Sequence, residues 1–146
     1  MADKSVMPKA SEEFVDALNE ALTEELASII QYLWDHILLK GMESPYIADL
    51  FKELSMIEMN HAYTLAERID LIGGMPTTTI GPIKIGGDAK KMLQDNLELE
   101  YEAVDMYRKL VKMAEKEDDP VTRRLLEDIL KDTEEHANKL ETVLGQ

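Results

Sequence analysis

Apolar residues recur at every third or fourth position along four long stretches of this chain, the spacing that lines up one face of an α-helix. Polar and charged residues fill the positions between them, so each stretch predicts an amphipathic helix with one face in a shared core. We predict helices over residues 11–40, 44–72, 88–118 and 120–144. Together they predict an all-α fold, a four-helix bundle that occupies residues 1–146 as one domain.

Residues that begin and end helices mark the boundaries of the four stretches. Ser11 opens the first stretch, and Ser44 and Pro45 are expected at the N-cap and in the first turn of the second. Asp119 is expected to cap the fourth stretch, which ends at Gly145. These signals favour helices of about 25 to 30 residues each.

The segment from residue 73 to residue 87 differs from the other connections. It holds five of the seven glycines and two of the five prolines of the chain, so we expect neither a helix nor a tight turn there. A segment of this length reaches roughly 50 Å when extended, whereas the second helix is roughly 43 Å long. The segment can therefore cross the whole bundle, which predicts that the second and third helices run parallel.

The middle of every apolar stripe carries polar residues, and these form a repeat. In the first half of the chain a glutamate is followed 33 residues later by a glutamate and 36 residues later by a histidine. In the second half the same intervals join a glutamate, a threonine and a histidine. The first set is Glu25, Glu58 and His61, and the second is Glu100, Thr133 and His136. Two helix hairpins with such matched sets can hold a pair of metal ions between them.

Burial is the reason to assign these residues to a metal centre. All of them lie near the middle of their helices, so they meet at one level of the bundle. Ionised carboxylates that are buried without partners would cost several kcal/mol each, and cations offset that cost. A hydrogen-bonded core residue is the simpler explanation for any one of them alone, but the repeated set favours a metal centre.

The charge and composition of the chain exclude several classes of function. The formal net charge of −14 argues against binding to nucleic acid and to anionic membranes, and it suits a protein that attracts cations. Because there is no cysteine, thiolate zinc sites and iron–sulfur clusters are excluded, and a metal must bind oxygen and nitrogen. No stretch approaches the ~20 apolar residues of a membrane span, so we expect a soluble, cytoplasmic protein.

From about Leu18 to Leu144 the chain resembles the bacterioferritins of the ferritin-like superfamily. The resemblance is carried by residues 25–32, 57–62 (Ile-Glu-Met-Asn-His-Ala), 73–88, 97–100 and 132–136 (Asp-Thr-Glu-Glu-His). It implies a ferritin-like antiparallel four-helix bundle with one long crossover between the second and third helices. It also implies a ferroxidase, which oxidises Fe(II) with oxygen or hydrogen peroxide, and storage of the ferric product as mineral in a protein cage.

Carried over position by position, the resemblance gives five members of the repeat a role. Glu25 and His61 would bind one iron ion, and Glu100 and His136 would bind the other. Glu58 would bridge the two ions. Manganese or zinc are substitutes that the same oxygen and nitrogen ligands would accept.

Thr133 departs from the family pattern, in which a second bridging glutamate falls on this position. Two Fe(II) ions bring four positive charges, which four glutamates balance and three do not. Either the second metal site is weakened or another anion completes it. Asp132 is the candidate for that anion, because it lies one helical turn before His136 on a neighbouring row.

Two other residues match further functional positions. Met59 matches the methionine that binds haem b between two bacterioferritin subunits, although methionine is also a common core and interface residue. Tyr32 lies seven residues after Glu25 on the same helical face, in reach of donating a hydrogen bond or an electron to the metal centre. A plain core tyrosine is the alternative for that position.

The resemblance leaves the assembly and the reaction open. A homo-oligomer is expected, either a dimer or a cage of 12 or 24 subunits. The chain ends at Gln146, with no clear fifth helix of the kind found in large ferritin cages, which weighs against 24 subunits. Two alternative functions are peroxide reduction at a diiron or dimanganese centre without mineral storage, and haem or metal binding without catalysis if Thr133 silences turnover.

Overall fold

The computed structural model describes residues 5–146, which form four helices: α1, Glu12–Leu38; α2, Ser44–Leu71; α3, Ala89–Lys116; and α4, Pro120–Leu144. No β-strand is present among residues 5–146, and the predicted all-α bundle is confirmed. Within the same range, none of the helices combines the length and the apolar character that crossing a membrane requires.

Side-chain caps define where three of the helices begin. Ser11 accepts a hydrogen bond from the backbone N–H of Phe14 at the start of α1. Asp88 and Asp119 accept equivalent bonds at the starts of α3 and α4. Each cap satisfies one of the N–H groups that a helix leaves without an internal partner, so these three boundaries follow from local chemistry.

The start of α2 differs from the expectation that Ser44 is its cap. The N-cap is Glu43, which makes no side-chain capping bond, and Ser44 is the first helical residue. Gly41, with a φ of +107°, already turns the chain, and its carbonyl accepts a bond from the N–H of Ser44. Because Glu43 already has helical dihedral angles, Ser44 lies inside the first turn.

Two hydrogen bonds show that α1 and α2 are antiparallel. The N–H of Ala10, just before α1, donates to the carbonyl of Ile72, just after α2. Further along, the hydroxyl of Ser55 in α2 donates to the carbonyl of Ile29 in α1. Higher numbers on one helix therefore face lower numbers on the other, as a hairpin requires.

A second pair of contacts gives the direction of α3. Tyr107 of α3 contacts Glu25 of α1, and Asn96 of α3 contacts Gln31 of α1. The helix α3 is therefore antiparallel to α1, as α2 is, so α2 and α3 run parallel to each other. This direction is the one that the length of the crossover predicts.

The crossover, residues 73–87, follows α1 along the bundle. Its backbone N–H groups bond to α1 in sequence order: Thr77 to Asn19, Gly81 to Thr23, Lys84 to Gln31 and Gly86 to Asp35. Gln31 and Asp35 are fully buried and also bond to Asn96 of α3. A buried polar network between α1 and α3 therefore fixes the second half of the crossover.

The core consists of two apolar clusters separated by a layer of polar side chains. Major members of the first cluster are Phe14, Leu18, Leu65, Ile69, Leu110 and Leu126. Major members of the second are Phe51, Leu54, Leu93, Leu97 and Leu140. On α2, α3 and α4 the two clusters take up opposite ends of the helix, and the residues of the polar repeat lie between them.

Candidate metal centre

Every helix contributes to the polar layer between the two apolar clusters. Its members are Glu25 from α1, Glu58 and His61 from α2, Glu100 from α3, and Thr133 and His136 from α4, all of them 5% exposed or less. Each occupies a position at which the helical spacing expects an apolar side chain, so helix packing turns it inward. The structure therefore brings together all six members of the sequence repeat.

Glu58 lies between the two halves of this layer. Its Oε1 is 2.9 Å from Nδ1 of His136, and its Oε2 is 3.5 Å from Nδ1 of His61. The same Nδ1 of His61 is 3.6 Å from Glu25, and Nδ1 of His136 is 3.5 Å from Glu100. One carboxylate thus faces two imidazoles, each of which also faces a carboxylate of its own.

These contacts define two groups of metal-ligating side chains. Glu25, Glu58 and His61 form the first group, and Glu58, Glu100 and His136 form the second, with the ligand atoms of each group within 4.8 Å of one another. The shared member is Glu58. Each group offers one imidazole nitrogen and carboxylate oxygens, a donor set that suits iron, manganese or zinc.

Two buried atoms of the first group make no hydrogen bond within residues 5–146. They are Oε2 of Glu25 and Nδ1 of His61. Leaving a buried donor or acceptor without a partner costs about 1–3 kcal/mol, and more for a charged group. A cation bound between them would satisfy both atoms, so the donor set fits a metal ion.

Protons balance the charge of these residues when no cation does. Burial, with repulsion from Glu58, holds the pKa of Glu25 well above its usual value. Burial alone would lower the pKa of both histidines, but the adjacent carboxylates outweigh it and raise the pKa of His61 to about 11 and that of His136 to about 10. Both imidazoles therefore carry a proton at neutral pH that a metal ion must displace.

Two tyrosines hold the outer carboxylates of the two groups. Tyr32 of α1 donates a hydrogen bond of 2.8 Å to Glu100 of α3, and Tyr107 of α3 donates one to Glu25 of α1. Burial and the nearby carboxylates raise the pKa of both hydroxyls, so both remain neutral donors. Tyr107 was not among the predicted site residues, yet it follows Glu100 by the same seven residues that separate Tyr32 from Glu25.

Asp132 lies in a different position from the one expected of a second bridge. It belongs to neither ligand group, and its Oδ2 is 2.8 Å from Nε2 of His61. This contact is on the edge of the imidazole opposite Nδ1. The contacts His136–Glu58 and Asp132–His61 show that α4 runs antiparallel to α2. One turn back from His136 on α4 therefore lies beside the residue one turn forward from Glu58 on α2, which is His61.

Thr133 supplies no ligand to either group. Its hydroxyl donates a hydrogen bond of 2.7 Å to the carbonyl of Ile129, one turn earlier in α4. This bond is the ordinary way in which a threonine inside a helix satisfies its hydroxyl. The centre therefore has three carboxylates, and the place of a fourth is taken by a neutral side chain that is bonded to its own helix.

An acidic cavity connects the metal centre with the surface between α1 and α3. It has a volume of about 340 Å³ and reaches Glu25, Glu58 and Glu100. Glu24 and Glu102 also line it, and burial with repulsion from Glu102 raises the pKa of Glu24. A cation approaching through this cavity meets negative charge along the way.

Met59 lies outside the polar layer, on the outer face of α2, where it is 43% exposed. It lines a shallow groove of about 210 Å³ with Leu22, Leu26, Ala62 and Tyr63. The walls are mostly apolar, and the thioether is the only sulfur ligand among the residues that line this groove. Such walls would pack against an apolar ligand.

Comparison with known proteins gives a consistent result. A family model described as a ferritin-like domain matches residues 15–146. A bacterioferritin of Brucella melitensis is 34% identical over 137 residues, covering 93% of this chain and 85% of the relative. A bacterioferritin of Streptomyces coelicolor is 35% identical over 138 residues, covering 90% of this chain and 80% of the relative.

Among solved structures, the bacterioferritin BfrA of Mycobacterium tuberculosis is similar to this chain over almost its whole length. The two superpose with a TM-score of 0.85 and share 30% sequence identity. The match covers 94% of this chain and 87% of the other. The similarity therefore includes all four helices and the crossover.

Proposed function

The chain belongs to the bacterioferritins, within the ferritin-like family, and on this basis we propose that it is a ferroxidase with a dinuclear iron centre inside each subunit. Membership of the family supports iron storage and ferroxidase function in general. The specific proposal is that Fe(II) is oxidised to Fe(III) by oxygen or hydrogen peroxide at this centre, for iron storage and detoxification.

The observation that carries the proposal is the position of Glu58 between two matched groups. One oxygen of Glu58 faces His136 and the other faces His61, and Glu100 and Glu25 complete the respective groups. A carboxylate with both oxygens engaged in this way is suited to bridge two ions. Iron bound there would supply the redox chemistry, because two Fe(II) ions provide the two electrons that reduce one hydrogen peroxide, with two protons, to two waters.

The residues of the chain have separate tasks in this reaction. Glu25, Glu58 and Glu100 offer negative charge in a buried layer, where electrostatic attraction to a cation is stronger than in water. Tyr32 and Tyr107 hold the two outer carboxylates in position by hydrogen bonds. The apolar clusters close the layer at its two ends, and the acidic cavity between α1 and α3 is the route by which ions and oxidant would enter.

Oxidation of Fe(II) by the metal-free protein tests this proposal. About two Fe(II) per chain are added under oxygen, or under nitrogen with hydrogen peroxide, and Fe(III) is followed by near-ultraviolet absorbance. We expect rapid oxidation that Glu58→Gln and His136→Ala abolish. Glu53→Gln, an exposed change on the same helix as Glu58, is the matched control and should keep the rate. Oxidation no faster than in buffer would refute the proposal.

Storage is separated from detoxification by adding iron beyond the two ions of the centre. If the protein stores iron, it will hold many Fe(III) per chain in solution, and the iron will elute with the protein in gel filtration. Peroxide consumption without retained iron would instead favour a peroxide-reducing diiron or dimanganese protein. Metal binding without any turnover would favour a non-catalytic bundle silenced by Thr133.

Haem b is the second cofactor that we propose, bound through Met59. The sulfur of Met59 would ligate the iron, and Leu26 and Tyr63 would pack against the macrocycle in the apolar groove. One such groove covers only one face of a haem, so a second subunit would supply the other face. Titration with haemin should give a Soret band at half a haem per chain. Met59→Ala should remove the band, whereas Met42→Ala, a change at an exposed methionine before α2, should not.

The exposed apolar residues of the helix pair α1 and α2 support self-association. Leu33, Trp34, Ile37, Met56 and Tyr63 are all more than 40% exposed. Large apolar side chains that are exposed together mark interaction surfaces. We propose that this surface joins two copies of the chain, and light scattering after gel filtration would distinguish a dimer from a cage of 12 or 24 subunits.

A further inference from the structure

The contacts of the two imidazoles differ, and from this difference we infer that the two ion sites of each subunit are unequal. The site of Glu25, Glu58 and His61 binds a divalent ion first and more tightly. The site of Glu58, Glu100 and His136 fills second and releases its ion more readily. This inference rests on the proposed dinuclear centre, and it goes beyond it by assigning the order of filling and the residue that sets it.

Asp132 is the residue that favours the first site. Its carboxylate is 2.8 Å from Nε2 of His61, while Nδ1 of the same ring faces Glu25 and Glu58. A carboxylate in this position keeps the proton of a neutral imidazole on Nε2, so that the lone pair of Nδ1 points at the metal. Such an outer partner also orients the ring and makes it more basic, and its loss typically costs 10–100-fold in metal affinity.

His136 has no comparable outer partner. Its Nδ1 faces Glu58 and Glu100, but its Nε2 makes no hydrogen bond within the part of the chain that the structure describes. The internal repeat explains the difference. Asp132 directly precedes Thr133, and the residue that precedes Glu58 at the corresponding place in the first half is Ile57. The carboxylate that would support His136 is therefore replaced by an apolar side chain.

Thr133 leaves the centre short of negative charge. Two divalent ions bring four positive charges, and the three carboxylates of the centre balance three of them. Asp132 adds a further negative charge behind His61, so the first ion benefits from it more than the second. Thr133 cannot compensate at the second site, since it is neutral and its hydroxyl is bonded to Ile129. The missing bridging carboxylate at Thr133 affects both ions, so the difference between the two sites comes from Asp132 and Ile57.

Titration of the metal-free, full-length protein with Co(II) without oxygen tests the inference by calorimetry and visible absorption. We expect two successive steps whose association constants differ at least tenfold. Asp132→Asn should weaken the first step by 10–100-fold and narrow the gap between the steps. Asp128→Asn, an exposed change one turn earlier on α4, is the matched control and should leave both steps as they are.

Variants that restore the two missing carboxylates provide the converse test. Ile57→Asp should give His136 a carboxylate partner and strengthen the second step alone. Thr133→Glu should add charge between the two ions and strengthen both steps. Circular dichroism establishes that each variant is folded. Each substitution is tested separately, so the second remains informative if the first fails to fold.

The outcomes distinguish this inference from the proposed function. Two ions binding in one step of equal affinity, or an equal weakening of both steps in Asp132→Asn, would overturn the inference and leave the dinuclear centre intact. Failure to bind two Co(II) at any concentration would overturn both.

Discussion

Metal binding should release protons from the two histidines of the centre. Without a metal ion, the pKa of His61 is about 11 and that of His136 about 10, because carboxylates surround both rings. Both pKa values are raised, so both rings are charged at pH 7, and a divalent ion that binds Nδ1 must displace a proton from each. The apparent metal affinity should therefore depend on pH.

The size of the effect follows from the two pKa values. At pH 7, a ring with a pKa of about 11 is unprotonated about once in 10⁴ molecules, and one with a pKa of about 10 about once in 10³. Each displaced proton makes the apparent affinity rise about tenfold per pH unit. The rise should continue towards pH 10 and stop above about pH 11, where no imidazole proton remains to be displaced.

Calorimetry with Zn(II) in buffers of different protonation enthalpy measures the number of protons directly. Between pH 6.5 and 8, we expect at least one proton released per ion, hence at least two per chain. The pKa of Glu25 is also raised, so any proton that Glu25 loses on metal binding would add to the number of protons released. His61→Gln should release one proton fewer than the wild type. A binding enthalpy that does not depend on the buffer would refute the charge assignment.

Three substitutions test the packing and the hydrogen bonds of the fold, each by urea unfolding of the metal-free protein. Phe51→Ala removes a fully buried ring and should cost about 3–5 kcal/mol of unfolding free energy. Tyr107→Phe removes the donor to Glu25 and should cost about 1–3 kcal/mol. Asp35→Ala leaves Gly86 and Asn96 without their acceptor, so it should cost a similar amount and speed proteolysis within the crossover.

Each of these expectations has an outcome that contradicts it. A change below about 1 kcal/mol in Phe51→Ala would mean that the second apolar cluster is not tightly packed. Unchanged stability in Tyr107→Phe would mean that its hydroxyl does not support Glu25. If the crossover of Asp35→Ala resists protease as well as that of the wild type, the buried network does not hold the crossover in place. Asp105→Ala, an exposed change on α3, is the control.

Much of the fold could be predicted because the decisive signals are local. Ser11, Asp88 and Asp119 act as caps through bonds to residues three positions away, which sequence spacing alone indicates. The length of the crossover indicated the direction of α3 because it compares two distances along one chain. The prediction that Ser44 is the N-cap of α2 is wrong by one residue. The chain already turns at Gly41, whose positive φ the sequence does not reveal, so the N-cap is Glu43.

The sequence predicted the metal-ligating residues of the candidate site better than the residues that hydrogen-bond to them. Glu58 and His61 could be found because the repeat places them at matched intervals. The contact of Asp132 with His61 depends on the register between α2 and α4, which the periodicity of a single helix does not contain. Tyr107 is the opposite case, because its signal is present in the sequence: it follows Glu100 by seven residues, as Tyr32 follows Glu25.

The most direct test of the central claim is a crystal structure of the protein soaked with Fe(II) at saturating concentration without oxygen, with anomalous differences measured at the iron edge. We predict two peaks inside each subunit, about 3.5–4 Å apart, with Glu58 between them. His61 should lie beside one peak and His136 beside the other. A single peak in each subunit, or iron bound elsewhere with none at Glu58, would contradict the dinuclear centre.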